Sequence, residues 1–334
     1  MSADPIRVTE HCTEYGLPYV ELRGCVEFDP VHIFECGQCF RWNRLPGDSV
    51  LYTGVAAGRV LAVSAAQGPA GKVITLANTD LRGYEAFWKN YFDFERDYTP
   101  IRHALSAKDD YLKEAAAFGS GIRILRQEPF ETLLSFILSS NNNIPRIKGC
   151  IEKLAAAYGE KVEVSGAFSR YLFENSDLKE LPVFYTFPSA QRLQGIPAQT
   201  FSLCCKAGYR CAYLENTARA YAESPFDAAA ARSAALPEAR KMIRSYAGVG
   251  PKVADCVLLF AGLRTDVFPV DVWVRRVLEN LYFQREVSPR AAEAFAASYF
   301  GSLAGFAQQY LFYAIRGLGL DFFTEKYGRY SKAI

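Results

Sequence analysis

The chain has 334 residues, a formal net charge of +2, 50% hydrophobic residues and 22% charged residues. That composition excludes a wholly disordered chain, and the length makes two or three subdomains the expectation. No apolar run is long enough to cross a bilayer, and residues 1–15 have neither the apolar stretch of a signal peptide nor the acid-poor character of a transit peptide.

In chain order, the pattern changes near residue 115. Before it, residues 38–44, 50–55, 58–64 and 72–76 read as strands, with Pro46-Gly47-Asp48 and further glycines as turns. Residues 80–92 carry helical spacing. After Pro100 the 3.6-residue period dominates, over 110–117, 129–139, 144–158, 208–224, 237–246, 252–263, 272–282, 289–300 and 306–315. The stretch 174–188 is polar, then aromatic, and has no clear period. The expected fold class is α+β, with an N-terminal antiparallel β-sheet domain over 1–115 and a mostly α-helical domain over 116–334. Residues 279–284 read ENLYFQ, a common tag-removal protease site, but they continue the apolar face of a helix and read as native sequence.

Nine cysteines at scattered positions make no disulfide framework and read as reduced thiols. Cys36 and Cys39 form a C-x-x-C, but no second pair stands at zinc spacing, and His11, His32 and His103 are dispersed. No metal or cofactor is expected.

Residues 236–274 read LPEARKMIRSYAGVGPKVADCVLLFAGLRTDVFPVDVWV. A helix ends near Ala247, Gly248-Val249-Gly250 turns the chain, and Pro251 opens the next helix, where its missing N–H is no loss. The free N–H groups at such a helix start suit a phosphate. The same pattern also suits a plain helix turn. Lys252, in the first turn, meets the positive end of the helix dipole, which disfavours its ammonium form and favours a nucleophilic amine. Cys256 follows one turn later on the same face, as a small core residue or as a pocket wall. Asp271 is placed to cap the helix that starts at Val272. From there a carboxylate can also stabilise a developing cation.

These residues resemble the helix-hairpin-helix DNA glycosylase superfamily and, more closely, the 8-oxoguanine DNA glycosylase/AP lyase family. The resemblance extends to Gly37-Gln38-Cys39-Phe40-Arg41-Trp42, to Ser139-Ser140-Asn141-Asn142-Asn143-Ile144 with Arg146, to Gly208-Tyr209-Arg210, and to Phe306-Ala307-Gln308 with Phe312, all in family order. It implies a β domain followed by helical domains flanking a cleft into which a damaged base is flipped from duplex DNA. It implies that Lys252 attacks C1′, that the resulting Schiff base permits β-elimination, and that Asp271 supports the cationic transition state. The Gly37 carbonyl would accept the N7–H that 8-oxoguanine has and guanine lacks. Cys256 and Phe312 would sandwich the base, with Gln308 on its Watson–Crick edge. Asn141 would fill the vacated space, Tyr209 would wedge into the stack, and Arg146 and Arg210 would read the orphaned cytosine. Gly248 and Gly250 would bring the hairpin backbone to the DNA. The implied partner is double-stranded DNA containing 8-oxoguanine, bound by a monomer. The implied place of action is the cytoplasm and nucleoid of a bacterium, or the nucleus of a eukaryote.

Two features depart from relatives. Trp273 stands where animal members commonly carry histidine, and an indole donates one hydrogen bond but cannot titrate. No cysteine follows Cys256, which excludes the C-terminal cluster of the iron–sulfur relatives. A catalytically silent DNA-binding protein would need neither Lys252 nor Asp271. A glycosylase for another lesion would share both residues, and Gly37, Gln308 and Phe312 are what favour oxidised guanine.

Overall fold

The computed structural model describes residues 6–68 and 71–328. Six strands, β1 (Arg7–Cys12), β2 (Pro18–Arg23), β3 (Trp42–Arg44), β4 (Leu51–Ala56), β5 (Arg59–Gly68) and β6 (Gly71–Ala77), form one antiparallel sheet in the order β1-β2-β6-β5-β4-β3. Side-chain alternation along β4 and β5 feeds two cores. Tyr52, Ala56, Leu61 and Val63 face a cluster with Phe34, Trp42, Trp88 and Phe92. Leu51, Val55, Val60 and Ala62 face Phe168, Leu172 and Phe184. The second group of aromatic and aliphatic cover comes from helix Gly166–Glu174 and the short strand Phe184–Tyr185. The later part of the chain therefore returns to roof the sheet, and the change of pattern near residue 115 does not separate the layers.

Two strands escape the sequence pattern. Along β1 no residue is buried, so it carries no apolar alternation. In β2 only Val20 and Leu22 alternate inward. The strand expected from residue 38 begins only at Trp42, because Gly37 adopts a φ of +81° and turns the chain first. The helix expected over 80–92 contains a π-helical stretch, Tyr84–Trp88. The one expected over 272–282 is α-helical to Val277 and then π-helical over Leu278–Phe283. Leu281 and Tyr282 of the ENLYFQ string are buried there, as native sequence requires. Helices Pro129–Ser139 and Ile144–Tyr158 have the expected bounds.

Three polar side chains, Gln38 and Arg123 buried and Gln127 half-buried, join the layers. Gln38 donates from Nε2 to the carbonyls of Ile33 (2.9 Å) and Arg123 (2.8 Å), and its Oε1 accepts from Leu125 N (2.9 Å). Gln127 Nε2 donates to the carbonyls of Gln38 (2.7 Å) and Phe260 (3.2 Å). Arg123 is 2% exposed. It donates to the carbonyls of Phe92 (2.9 Å), Glu27 (2.8 Å), Asp93 (2.6 Å) and Arg96 (2.7 Å), with its guanidinium 4.3 Å from the Tyr98 ring centroid. A buried guanidinium is tolerated only when its donors are taken in this way. The Cys36 thiol donates to Ile33 O (3.2 Å) and burial pushes it up to about 12. Burial raises Cys39 as well. The C-x-x-C pair is thus two protonated core thiols. Replacing Arg123 by Met leaves these carbonyls unpaired and is expected to cost about 3–5 kcal/mol in denaturant-induced unfolding. Arg123→Lys should recover little, since one ammonium cannot span the same acceptors. A loss below about 1 kcal/mol in Arg123→Met would contradict this account.

Candidate active site

The hairpin is built from helices Leu236–Arg244 and Pro251–Phe260. Arg240 on the first grips Asp255 on the second through two bonds, Nε to Oδ1 (2.7 Å) and Nη2 to Oδ2 (2.9 Å). Thr217 Oγ1 donates to Ala247 O (3.0 Å) and holds the turn from behind. Gly248 has a φ of +78°, and a Cβ there would lie 2.6 Å from the Tyr213 ring. Gly250 differs: its backbone is extended (φ −88°, ψ −179°), and nothing lies within 4 Å of the Cβ position. The protein's own packing demands glycine at 248 and not at 250.

Lys252 is half-buried in the first turn of the second helix. Its Nζ donates to Ser139 Oγ (3.2 Å) and lies 5.2 Å from the Phe136 ring centroid. Ser139 in turn donates to Phe136 O (2.7 Å). The end of helix Pro129–Ser139 therefore positions the amine. Sequence reasoning gave Ser139 and Phe136 no role. The contact spans 113 residues, and no local pattern signals it. Cys256 is buried beside the lysine, and burial pushes its thiol up to about 11 against the pull of the Lys252 charge. Asp271 caps helix Val272–Val277, accepting from Val274 N (2.8 Å). Burial raises its carboxyl above the ordinary value, opposed by that N–H and by the charge of Lys252. Lysine, thiol and carboxyl are thus brought together.

The facing wall is helix Ala304–Leu318. Gln309 Nε2 donates to Cys36 O (2.8 Å), which ties the loop from the β domain to this helix. As a result Gly37 lies against Phe312: a Cβ on the glycine would be 3.1 Å from Phe312 Cε1. Gln308 is 4% exposed, and its Oε1 is buried without a hydrogen-bond partner. An unpaired buried acceptor costs about 1–3 kcal/mol, so its presence beside Phe312 marks a place prepared for a donor.

The three asparagines have separate tasks. Asn142 Nδ2 donates to Leu138 O (3.0 Å), and Asn143 caps helix Ile144–Tyr158 by accepting from Arg146 N (3.0 Å). Asn141 is exposed, with a left-handed φ of +48° that asparagine tolerates better than most residues. Arg210, expected to read a base, is 4% exposed. It donates to Ser140 O (Nε, 2.8 Å, and also Nη2), Asn141 O (2.8 Å) and Ala207 O (3.1 Å). It builds the loop that presents Asn141. Arg146 is exposed and makes one bond, to Lys206 O (3.2 Å). Tyr209 is 56% exposed, with its hydroxyl 3.3 Å from Ser140 O and the Arg210 guanidinium 4.4 Å from its ring centroid. Tyr213 stands edge-on to Tyr209 at 5.9 Å and lies against Gly248. Hairpin, tyrosines and Asn141 loop therefore form one continuous surface.

This geometry belongs to a helix-hairpin-helix base-excision fold. Residues 134–301 match the HhH-GPD superfamily of base excision DNA repair proteins, and residues 24–133 match the N-terminal domain of 8-oxoguanine DNA glycosylase. The chain belongs to the 8-oxoguanine DNA glycosylase family of that superfamily. It is 31% identical over 248 residues to a probable N-glycosylase/DNA lyase of Methanothermobacter thermautotrophicus, covering 69% of this chain and 72% of that protein. It is 30% identical over 298 residues to the N-glycosylase/DNA lyase OGG1 of Arabidopsis thaliana, covering 84% and 75%. Among solved structures it is similar to the Clostridium acetobutylicum 8-oxoguanine glycosylase/lyase bound to double-stranded DNA with cytosine opposite 8-oxoguanine. That likeness is 36% identical, with a TM-score of 0.81, over 96% of this chain and all of that one. It is also similar to MBOgg1 in complex with a low-affinity DNA ligand, with 40% identity, a TM-score of 0.81 and coverage of 94% and 99%.

The two hairpin glycines give a direct check. Gly248→Ala should lower unfolding stability by more than about 1 kcal/mol through positive φ and the Tyr213 clash, whereas Gly250→Ala should stay within about 0.5 kcal/mol. Equal losses in chemical denaturation would contradict the assignment.

Proposed function

We propose that this chain is a base-excision repair enzyme that removes 8-oxoguanine opposite cytosine and then cleaves the strand as an AP lyase. The observation that carries the proposal is the amine of Lys252 beside the Asp271 carboxyl, opposite a wall holding the unpaired Gln308 acceptor. The flipped nucleotide enters between Cys256 and Phe312. Gln308 Oε1 accepts from the donors on the guanine-type edge. Gly37, free of a Cβ, lets its backbone come close enough for its carbonyl to accept the N7–H of the oxidised base.

Lys252, once its ammonium has given up a proton to solvent, attacks C1′; the C1′–N9 bond breaks with its electron pair leaving on the base, which takes up the proton that the lysine nitrogen sheds on bonding. The Asp271 carboxylate stabilises the positive charge that develops on the sugar. Opening of the sugar ring gives a protonated Schiff base between Lys252 and C1′. Removal of a C2′ proton then expels the 3′ phosphate by β-elimination. Water finally releases Lys252 from the unsaturated sugar.

On the DNA side, the open space over Gly250 suits close approach of a backbone phosphate to the N–H groups of helix Pro251–Phe260. Asn141 fills the vacated stack, and Tyr209 wedges beside it. Arg146, held by a single carbonyl, is free to read the orphaned cytosine, whereas Arg210 fixes the loop from below. The enzyme acts as a monomer on duplex DNA.

Single-turnover incision of a duplex with one 8-oxoguanine opposite cytosine, with and without borohydride, tests this directly. The wild type should incise and form a trapped covalent adduct, and Lys252→Gln should do neither. An adduct that persists in Lys252→Gln removes the lysine from its role. Arg146→Ala should cleave opposite all four bases more evenly.

Asp271→Asn keeps a residue type that caps helices well, so the fold should stand while the rate falls about a hundredfold. The carboxyl must be ionised to act, and burial raises it above its ordinary value of 3.8. The rate should therefore decline on acidification at a higher pH than an ordinary aspartate would give. That acid limb should be absent from Asp271→Asn; an unchanged limb would assign it to another group.

A further inference from the structure

The rim of the base pocket carries a cation that the assignments above leave unused. Arg316 lies one turn beyond Phe312 on helix Ala304–Leu318 and is exposed. Its guanidinium carbon stands 5.2 Å from the Phe312 ring centroid. A Cβ built on Gly37 would lie 3.7 Å from Nη1 of the same group. Its charge also reaches Asp271, where it opposes the effect of burial on the carboxyl. Arg316 thus adjoins the loop wall, the aromatic wall and the catalytic carboxyl together. Among the described residues no carboxylate pairs with it and no carbonyl accepts from it. Other arginines of the molecule are committed in this way, as Arg123, Arg210 and Arg240 are.

We propose that Arg316 is a substrate-contacting residue that grips a backbone phosphate of the flipped nucleotide at the mouth of the pocket. This rests on the base-flipping function proposed above. The base goes inward between Phe312 and Cys256, and C1′ must reach Lys252 beside Asp271. The phosphates joining that sugar to the duplex then stay outside, at the rim. Arg316 stands there with no carboxylate or carbonyl partner among the described residues. Stacking on Phe312 holds its plane and leaves the N–H edge open, and that planar fork matches two phosphate oxygens. The neighbouring Trp273 is exposed and cannot carry charge, so Arg316 supplies this mouth with a charge that does not titrate.

The test measures binding in the Lys252→Gln protein, which should hold the 8-oxoguanine·cytosine duplex without turning it over. The affinity is followed from low to high salt, with and without Arg316→Leu or Arg316→Lys. Arg316→Leu should make the slope of log K against log salt shallower by about 0.9, the release of one phosphate contact. Arg316→Lys should restore the slope. Thermal unfolding should not change, since the side chain is exposed. An unchanged slope in Arg316→Leu overturns the proposal. So does an unchanged slope with altered preference between 8-oxoguanine and guanine, which would assign Arg316 to the base. If the Lys252→Gln parent itself shows no preference for the lesion duplex, the function proposed above fails and this inference fails with it.

Discussion

The site depends on one polar seam between the β domain and the helices. Gln38, Gln127 and Gln309 each donate to a backbone carbonyl across it: Gln38 to Arg123, Gln127 to Gln38 and Gln309 to Cys36. The Gln38 and Gln309 amides are buried and that of Gln127 half-buried, so an unmet donor here would destabilise the protein. Apolar packing would tolerate a sliding contact between the layers; fixed donors and acceptors do not. The result is that Gly37, from the sheet side, stands at van der Waals distance from Phe312 on a helix far along the chain. A pocket with walls from two layers keeps its width only if the layers cannot shift.

Burial then sets the chemistry inside. The Cys256 thiol is pushed up to about 11 and stays neutral beside the lysine, a polarisable wall rather than a competing nucleophile. Asp271 feels burial in the same direction but is held back by the Val274 N–H and by Lys252. Its cap role and its electrostatic role share one geometry: the oxygen that caps the helix start is anchored, so the carboxyl is positioned in advance of any substrate.

Much of this was legible in the sequence, and the limits have physical causes. The hairpin, Lys252, Cys256 and Asp271 could be found because their chemistry is local: a glycine turn, a proline at a helix start, a residue one turn on, a capping aspartate. Helices Pro129–Ser139 and Ile144–Tyr158 were legible because their apolar faces are long and periodic. Strand β1 was not, since an exposed edge strand carries no apolar pattern. Arg210 illustrates a second limit. Its residue type fits base reading as well as loop building, and only the folded structure shows its donors on the Ser140 and Asn141 carbonyls in the free protein. Ser139 and Phe136 are defined by Lys252, more than a hundred residues away, and Arg316 by the distant Gly37 as well as by Phe312 one turn before it, so the surrounding sequence alone does not mark them.

Three features around the pocket answer no need of the free protein. Gln308 Oε1 is buried without a partner. Arg123, Arg210 and Arg240 spend their donors on carboxylates or carbonyls, whereas Arg316 lies over the Phe312 ring with none taken among the described residues. Glycine at 250 answers no packing need of the protein. Each exception alone is a small local cost. Together they describe the missing partner from the inside: a donor-bearing edge toward Gln308, and negative charge toward Arg316 and Gly250. A flipped guanine-type nucleotide still joined to its phosphates has both, so the frustration left in the free protein is relieved by one ligand.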